Sequence, residues 1–267
     1  AKSFLSNALK IDPSYSKAHY LLGRTSELNG DHEKAIHHYK KAIECHPDFP
    51  KALFHLGRLL FIQEDHSNAE KNLRLSLQLD PTNPKSHYYL AKILSEDEDP
   101  NLAKKHFYKA LELDPDFAEA YFDLAFHAEK SGDANEAKIQ FQKATDVDQN
   151  FAEAYFNLAR LSSSPSEYEL AERNFETALE IKTDYDECHY FFGKLLAKGE
   201  KMSKDGTLII DPQLDRANEQ FNEAIRINPK NYKSHYQLGL LLYKQEDYLA
   251  AFDSLQEVIK INPKFAE

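Results

Sequence analysis

The 12 histidines are the side chains here that could most readily bind a metal or transfer protons near neutral pH. His37 and His38 are adjacent and His32 lies close by, which invites a metal-binding interpretation. Successive residues of a helix point about 100° apart, so only one of that pair can face a shared ion. His-Tyr dipeptides recur at 19–20, 87–88, 189–190 and 235–236. We therefore expect surface histidines that follow a repeat, and no metal site.

Motifs for catalysis or cofactor binding are missing from the sequence. It contains no Gly-x-Ser-x-Gly, no His-Glu-x-x-His and no Cys-x-x-Cys, and it predicts no strand that a phosphate-binding loop could follow. We expect neither an enzyme nor a cofactor. The 2 cysteines, Cys45 and Cys188, are too few for a disulfide framework and are predicted to be small core residues. An intracellular, cytoplasmic location fits reduced cysteines.

A repeat of 34 residues organises the chain. Prolines mark the repeat at Pro13, Pro47, Pro81, Pro115, Pro229 and Pro263. Small residues form one column at Gly23, Gly57, Ala91, Ala125 and Gly239, and another at Ala35, Ala69, Ala103, Ala137, Ala171 and Ala251. A fixed period of this length is typical of stacked supersecondary units and not of one globular core.

Each unit is predicted to contain two helices. In 50–63, apolar residues fall at helical spacing, and Gly57 lets a neighbouring helix approach closely. The second helix, such as 67–80, follows an aspartate that can accept a hydrogen bond from an amide of the first turn. These aspartates are Asp31, Asp65, Asp99, Asp133 and Asp247. Because proline cannot extend a helix, the second helix is expected to end just before it.

These columns resemble the tetratricopeptide repeat (TPR), which implies an all-α fold, a right-handed α-solenoid of tandem helix-turn-helix units. We call the position of a residue within its unit its register, with Ser16 and Pro50 at register 1. After a half repeat at 1–15, the resemblance implies a single TPR array over 1–267. Its full repeats are 16–49, 50–83, 84–117, 118–151, 152–185, 186–231 and 232–265.

The sequence departs from the family pattern in three places. Register 4 never carries the usual tryptophan, since the chain has none. Gln149 and Thr183 stand where prolines are expected, and the sixth full repeat carries an insertion at 200–211. Both ends fall inside a repeat, so we expect a piece of a longer protein. No apolar run is long enough for a membrane span, and no membrane insertion is expected.

In the TPR family, the first helix of each repeat (helix A) lines a concave surface, to which registers 2, 5, 6, 9, 12 and 13 contribute. Registers 2 and 9 are rich in cations here: Lys17, Lys51, Lys85, Arg24, Arg58, Lys92, Arg160 and Lys194. Register 5 is aromatic in every full repeat: Tyr20, Phe54, Tyr88, Phe122, Phe156, Tyr190 and Tyr236. The resemblance thus implies an aromatic and basic groove that contacts a partner, with Phe54, Tyr88 and Phe122 as a stacking strip. Packing of these rings between neighbouring repeats stays open as the alternative.

The charge of these registers suggests what kind of partner it is. Registers 2, 6, 9, 12 and 13 hold twelve basic and seven acidic residues, whereas the whole chain has a net charge of −11. A basic groove focuses potential toward an anionic ligand. We predict an interaction scaffold or adaptor that binds an extended or helical, acidic segment of a protein, and no nucleic acid. Pairing of the register-2 lysines with neighbouring acids stays open as an alternative.

Two other functions remain open. The insertion at 200–211 is predicted to be a loop whose Leu208, Ile209 and Ile210 find cover against the array or a partner. It is either a second contact site or an insertion without a function, and both alternatives stay open. In the second hypothesis, the chain is a structural subunit of a large assembly, of the ciliary, transport or cell-cycle kind. It contacts its neighbours through its convex face and this insertion. In the third hypothesis, it is the regulatory arm of an enzyme whose catalytic domain lies outside this chain. Neither the oligomeric state nor the partner's identity follows from the sequence.

Overall fold

The structure is a computed structural model that describes residues 2–96, 99–162, 164–203, 205–210 and 212–266. The described residues form fifteen α-helices and one β-hairpin. The helices are α1 (Lys2–Ile11), α2 (Ser16–Leu28), α3 (His32–Cys45), α4 (Pro50–Ile62), α5 (His66–Leu79), α6 (Pro84–Glu96), α7 (Pro100–Leu113), α8 (Ala118–Lys130), α9 (Ala134–Val147), α10 (Ala152–Leu161), α11 (Tyr168–Ile181), α12 (Asp186–Lys198), α13 (Leu214–Ile227), α14 (Tyr232–Lys244) and α15 (Tyr248–Ile261). The strands are β1 (Glu200–Met202) and β2 (Leu208–Ile210).

The chain divides into two compact units, one that ends at His127 and one that begins at Ala128. In the first unit, α2 packs on α3, α4 on α5 and α6 on α7. In the second unit, α10 packs on α11, α12 on α13 and α14 on α15. The predicted all-α fold of tandem helix-turn-helix units is confirmed. Each pair falls within one predicted repeat range, and residues 97, 98, 163, 204 and 211 of those ranges lie outside the described residues.

The predicted aspartate caps are present at the start of the second helices. The Asp31 carboxylate accepts a hydrogen bond from the Lys34 amide at 3.1 Å, and the Asp133 carboxylate accepts one from the Glu136 amide at 3.0 Å. Asp65, Asp99 and Asp247 cap α5, α7 and α15 in the same way. Each satisfies an amide that has no partner within its helix.

Close helix packing explains the column of small residues. A Cβ atom on Gly57 would lie 2.8 Å from Cγ of Leu73, and one on Gly23 would lie 2.6 Å from the ring of Tyr39. Leu73 and Tyr39 are fully buried and share register 24 on the second helix of their repeats. The small residue of helix A therefore lies directly under a fully buried core side chain of its own repeat.

The insertion forms a β-hairpin, which the sequence did not predict. β1 and β2 pair antiparallel, with Lys201 opposite Ile209. The exposed fractions of Leu208, Ile209 and Ile210 are 50%, 39% and 67%. The array therefore leaves these three side chains exposed, and cover by a partner stays a prediction.

The two cysteines differ in burial. Cys188 is fully buried, as predicted, and it lies in the core of the second unit with Phe192 and Phe221. Cys45 is exposed, so the prediction of a core position is wrong for this residue. It is the last residue of α3.

Candidate partner-binding pocket

A pocket of about 510 Å³ lies in the first unit, among the first helices of four successive repeats. It brings together five residues that the sequence predicted as partner contacts. Its lining consists of Arg24, Glu27, Phe54, His55, Arg58, Lys85, Tyr88, Tyr89, Phe117 and Glu119. Helices α2, α4 and α6 supply most of these side chains, each from its inward registers.

Glu27 is the hub of this pocket. Its carboxylate accepts hydrogen bonds from Arg58 Nη2 at 2.7 Å and from the Tyr39 hydroxyl at 2.5 Å, and His55 Nδ1 lies 3.2 Å away. Burial by itself would raise the pKa of Glu27, but these contacts outweigh burial and lower the pKa to about 2. Arg58 is thus neutralised within the protein, and its side chain is only 21% exposed.

Lys92 is also engaged by its own chain. Its Nζ lies 2.8 Å from Oδ2 of Asp123 and 5.9 Å from the centroid of the Phe61 ring. The Tyr88 hydroxyl donates a hydrogen bond to the same Asp123 oxygen at 2.6 Å. Burial, and then the Asp123 charge, raise the pKa of Tyr88, so its hydroxyl stays a donor. Arg58 and Lys92, two of the predicted anion contacts, therefore hold neighbouring repeats together.

Arg24 is the pocket cation that lacks a carboxylate. Its Nη1 lies 3.4 Å from the Tyr20 hydroxyl, and its Nε is buried with no hydrogen-bond partner. Among the described residues, no carboxylate oxygen lies within 4 Å of Arg24, Lys17, Lys51 or Lys85, and the three lysines are exposed. The alternative in which register-2 lysines pair with neighbouring acids is therefore not seen in these side chains.

The aromatic row of register 5 is not a continuous open surface. Phe54, Tyr88 and Phe156 are at most 8% exposed and belong to hydrophobic cores. Tyr20, Phe122 and Tyr190 are partly buried. The buried rings of Phe54 and Tyr88 reach the pocket as part of its wall, so only a small part of each ring is open to a ligand.

A second pocket, of about 300 Å³, lies in the second unit between α10 and α12. Its lining consists of Ala159, Arg160, Phe175, Phe191, Lys194, Leu195 and Lys198. Arg160 donates to both carboxylate oxygens of Glu129, at 2.9 and 2.8 Å, and also to Asn157. Lys198 pairs with Glu200 at 2.7 Å. Lys194 is exposed, and its Nζ lies 5.5 Å from the Tyr190 ring centroid.

The carboxylates that hold these arginines were missed by sequence reasoning. Glu27 and Glu129 share register 12, and each binds the arginine at register 9 of the next repeat, 31 residues further on. That spacing was available in the sequence. A sum of charges over the registers does not show this spacing. Pairing between adjacent repeats decides which cations make an ion pair and which remain available to a ligand.

Neither a metal site nor a membrane-spanning helix is found in the part of the chain that the structure describes. No group of three or more His, Cys, Asp or Glu side chains there could hold a metal ion. None of its helices is long and apolar enough to cross a membrane.

Comparison with known proteins gives both sequence and structural relatives. A segment of 56 residues is 38% identical to the Cell division cycle protein 27 homolog of Caenorhabditis elegans. This segment makes up 21% of this chain and 7% of that protein. Among solved structures, the C-terminal part of a TPR repeat-containing protein from Cytophaga hutchinsonii matches with a TM-score of 0.70 at 14% identity, over 92% of this chain and 96% of that one. YrrB, described as a TPR protein with an unusual peptide-binding site, matches with a TM-score of 0.58 at 22% identity, over 70% and 97%.

Family models give the assignment itself. Five models described as tetratricopeptide repeat match residues 16–49, 38–71, 94–161, 152–185 and 213–264. These matches fall on the helix pairs described above and together span most of the chain. The chain belongs to the tetratricopeptide repeat family.

Proposed function

We propose that this protein is an interaction scaffold whose first unit binds an extended, acidic segment of a partner protein. The observation that carries the proposal is Arg24, a half-buried guanidinium in a pocket, with a buried Nε that has no hydrogen-bond acceptor. The peptide-binding site named for YrrB is consistent with the idea, although the likeness to that protein extends only to the fold.

A partner carboxylate at Arg24 would supply what the chain does not. Because the protein covers Nε, a partner carboxylate would accept charge-assisted hydrogen bonds from the Nη atoms of Arg24, and such bonds are about twice as strong as neutral ones. Arg58 cannot serve in the same way, since Glu27 already accepts its hydrogen bond. Exposed Lys85 provides a second cation at the pocket wall.

Glu119 limits which acidic segments fit. This exposed carboxylate also lines the pocket, so a run of acidic residues along the whole pocket would meet a like charge. We expect one acidic side chain opposite Arg24, with polar or apolar residues beside it that contact Phe54 and Tyr88. A uniformly acidic peptide should bind more weakly than such a mixed one.

Selection of random twelve-residue peptides on the immobilised chain tests the proposal. Selected peptides should share an acidic position, and Arg24→Gln should weaken them by roughly 10-fold, as expected for one charge-assisted bond. Lys71→Gln is the matched control, because Lys71 is an exposed cation on the second helix of its repeat, away from the pocket. Selected peptides without an acidic position, or equal losses in both variants, would argue against this site.

The predicted contacts in the second unit suit a different ligand group. Phe191, Leu195 and Phe175 give the smaller pocket an apolar floor, and Lys194 stands at its edge without an ion pair in the described ranges. We propose that this pocket takes an apolar side chain of a partner, with Lys194 as the anion contact. Arg160 stabilises the fold and is not available to a ligand, because Glu129 and Asn157 accept its hydrogen bonds.

A structural subunit of a large assembly is the second candidate. It is favoured by the exposed apolar side chains of the hairpin, Leu208, Ile209 and Ile210, and by the segment similar to the Cell division cycle protein 27 homolog. Leu208→Ser together with Ile210→Ser should then abolish co-sedimentation with the assembly while the peptides selected on the pocket still bind. If assembly survives this double change, the hairpin is not the contact.

A further inference from the structure

Two histidine pairs join the two helices of a repeat. His19 Nδ1 lies 3.3 Å from His38 Nδ1, and His87 Nδ1 lies 2.9 Å from His106 Nδ1. Both are pairs of register 4 with register 23, so the same contact forms in repeats 16–49 and 84–117. His87 is buried, and His106 is partly buried beside it.

A backbone carbonyl fixes the hydrogen positions of the pair on α6 and α7. His87 Nε2 lies 3.1 Å from the carbonyl oxygen of Pro81, and since a carbonyl only accepts, Nε2 carries the hydrogen. In the neutral ring, Nδ1 of His87 is then an acceptor. His106 must therefore donate from its own Nδ1, and its Nε2 has no hydrogen.

This arrangement responds to protons in a defined way. A first proton on His106 Nε2 leaves the bond between the rings intact. A second proton can only go to His87 Nδ1, where it meets the Nδ1–H of His106 at a separation that holds one hydrogen and not two. The doubly protonated pair must come apart, because it also carries two like charges.

We propose that the His87–His106 pair is a proton-sensitive latch that holds α6 on α7 near neutral pH and releases it in mild acid. The chain contains a comparison with only one ring. His189 Nδ1 lies 2.7 Å from Oε1 of Gln220, and His189 Nε2 lies 3.2 Å from the carbonyl oxygen of Thr183. In that repeat the same registers are joined without a second imidazole to titrate.

The surroundings of the pair favour its neutral form. Burial, and then the charges of His87 and Arg74, lower the pKa of His106 to about 4. Burial also lowers the pKa of His87, opposed by the Pro81 hydrogen bond and by Glu112 and assisted by Lys109. An unfolded histidine titrates near pH 6.5, so the unfolded chain binds more protons between about pH 6.5 and about pH 4. The contribution of the latch to stability is complete above this window and is lost as the pH falls through it.

Release of the latch would also act on the pocket of the first unit. Lys85 and Tyr88, which line that pocket, flank His87 on α6. Movement of α6 away from α7 would displace this wall, so partner release in acid is expected. This consequence rests on the proposed function, whereas the latch itself does not.

Hydrogen exchange on the full chain tests the latch without any ligand. Amide protection in 84–96 and 100–113, corrected for the intrinsic exchange rate, should fall roughly 10-fold in the wild type between pH 7.5 and pH 5.0. His87→Leu with His106→Asn copies Leu53 and Asn72, which occupy the same registers in the preceding repeat. In this variant the protection should not depend on pH.

Two results would overturn the latch. One is a wild type whose protection in these helices does not fall, and the other is an equal fall in the double variant. If the variant does not fold, nitrogen chemical shifts of the wild-type histidines at pH 7.5 decide the question. His106 must then show a hydrogen on Nδ1, and a hydrogen on Nε2 would contradict the proposal.

Discussion

The pockets of the two units contain equivalent ion pairs, each between registers 12 and 9 of adjacent repeats. They differ in the cations that make no ion pair and so remain available to a ligand. Arg58 is held by Glu27 in the first unit, and Arg160 is held by Glu129 in the second. The first pocket keeps Arg24, with a buried Nε that has no acceptor, next to its paired arginine. The second pocket is floored by apolar side chains, and its Lys194 is exposed to solvent.

This difference separates two roles of a cation at register 9. Where the preceding repeat carries a glutamate at register 12, as Glu27 and Glu129 do, the cation joins adjacent repeats. Where that position is not acidic, the cation finds another partner or none. Lys92 follows Phe61 and pairs with Asp123 of the next repeat instead. A basic column in a repeat sequence is thus partly a structural feature and only partly a surface for ligands.

The largest expected effect comes from removal of the hub carboxylate. Glu27→Ala leaves Arg58, Tyr39 and His55 without their shared partner, and we expect a loss of about 3 kcal/mol in the free energy of unfolding. Glu129→Ala should cost less, about 1–2 kcal/mol, because Asn157 still accepts from Arg160. Urea denaturation of both variants measures this difference. Equal costs would mean that the two ion pairs are equivalent.

A smaller effect is expected in acid. The pKa of Glu27 is lowered to about 2 from an ordinary value of 4.5, so its contribution is present above pH 4.5 and is lost as the pH falls from there toward 2. After a reduction for solvent screening, this loss should be about 2 kcal/mol. The wild type should lose more stability than Glu27→Ala between pH 5 and pH 3. Parallel pH profiles would show that Glu27 is not the group that titrates.

The smallest effect is expected for the free lysine of the second pocket. Lys194 makes no ion pair in the described part of the chain, so Lys194→Gln should change the free energy of unfolding by less than about 0.5 kcal/mol. Thermal denaturation beside the wild type measures it. A clear loss of stability would mean that Lys194 stabilises the fold, as Arg160 does.

More features of the fold than of the candidate site could be predicted from the sequence. The aspartate caps and the small residue under Leu73 follow from local rules that act within one repeat, and both are confirmed. The pairing of Arg58 with Glu27 depends on contacts between repeats, which a count of charges ignores. The hairpin was missed because each strand has only three residues, too few for a recognisable alternation.

Substitution of one arginine in each unit tests most directly whether Arg24 binds the ligand and Arg160 stabilises the fold. Arg24→Gln and Arg160→Gln should each be compared with the wild type in urea denaturation and in calorimetric titration with a peptide selected on the first pocket. We predict that Arg24→Gln loses roughly 10-fold in affinity while its stability stays within about 0.5 kcal/mol, since in the described chain Arg24 makes no ion pair and only a long hydrogen bond, of 3.4 Å, to the Tyr20 hydroxyl. Arg160→Gln should lose about 1–2 kcal/mol of stability and keep its affinity. Wild-type affinity in Arg24→Gln would contradict the assignment of Arg24 as the ligand contact.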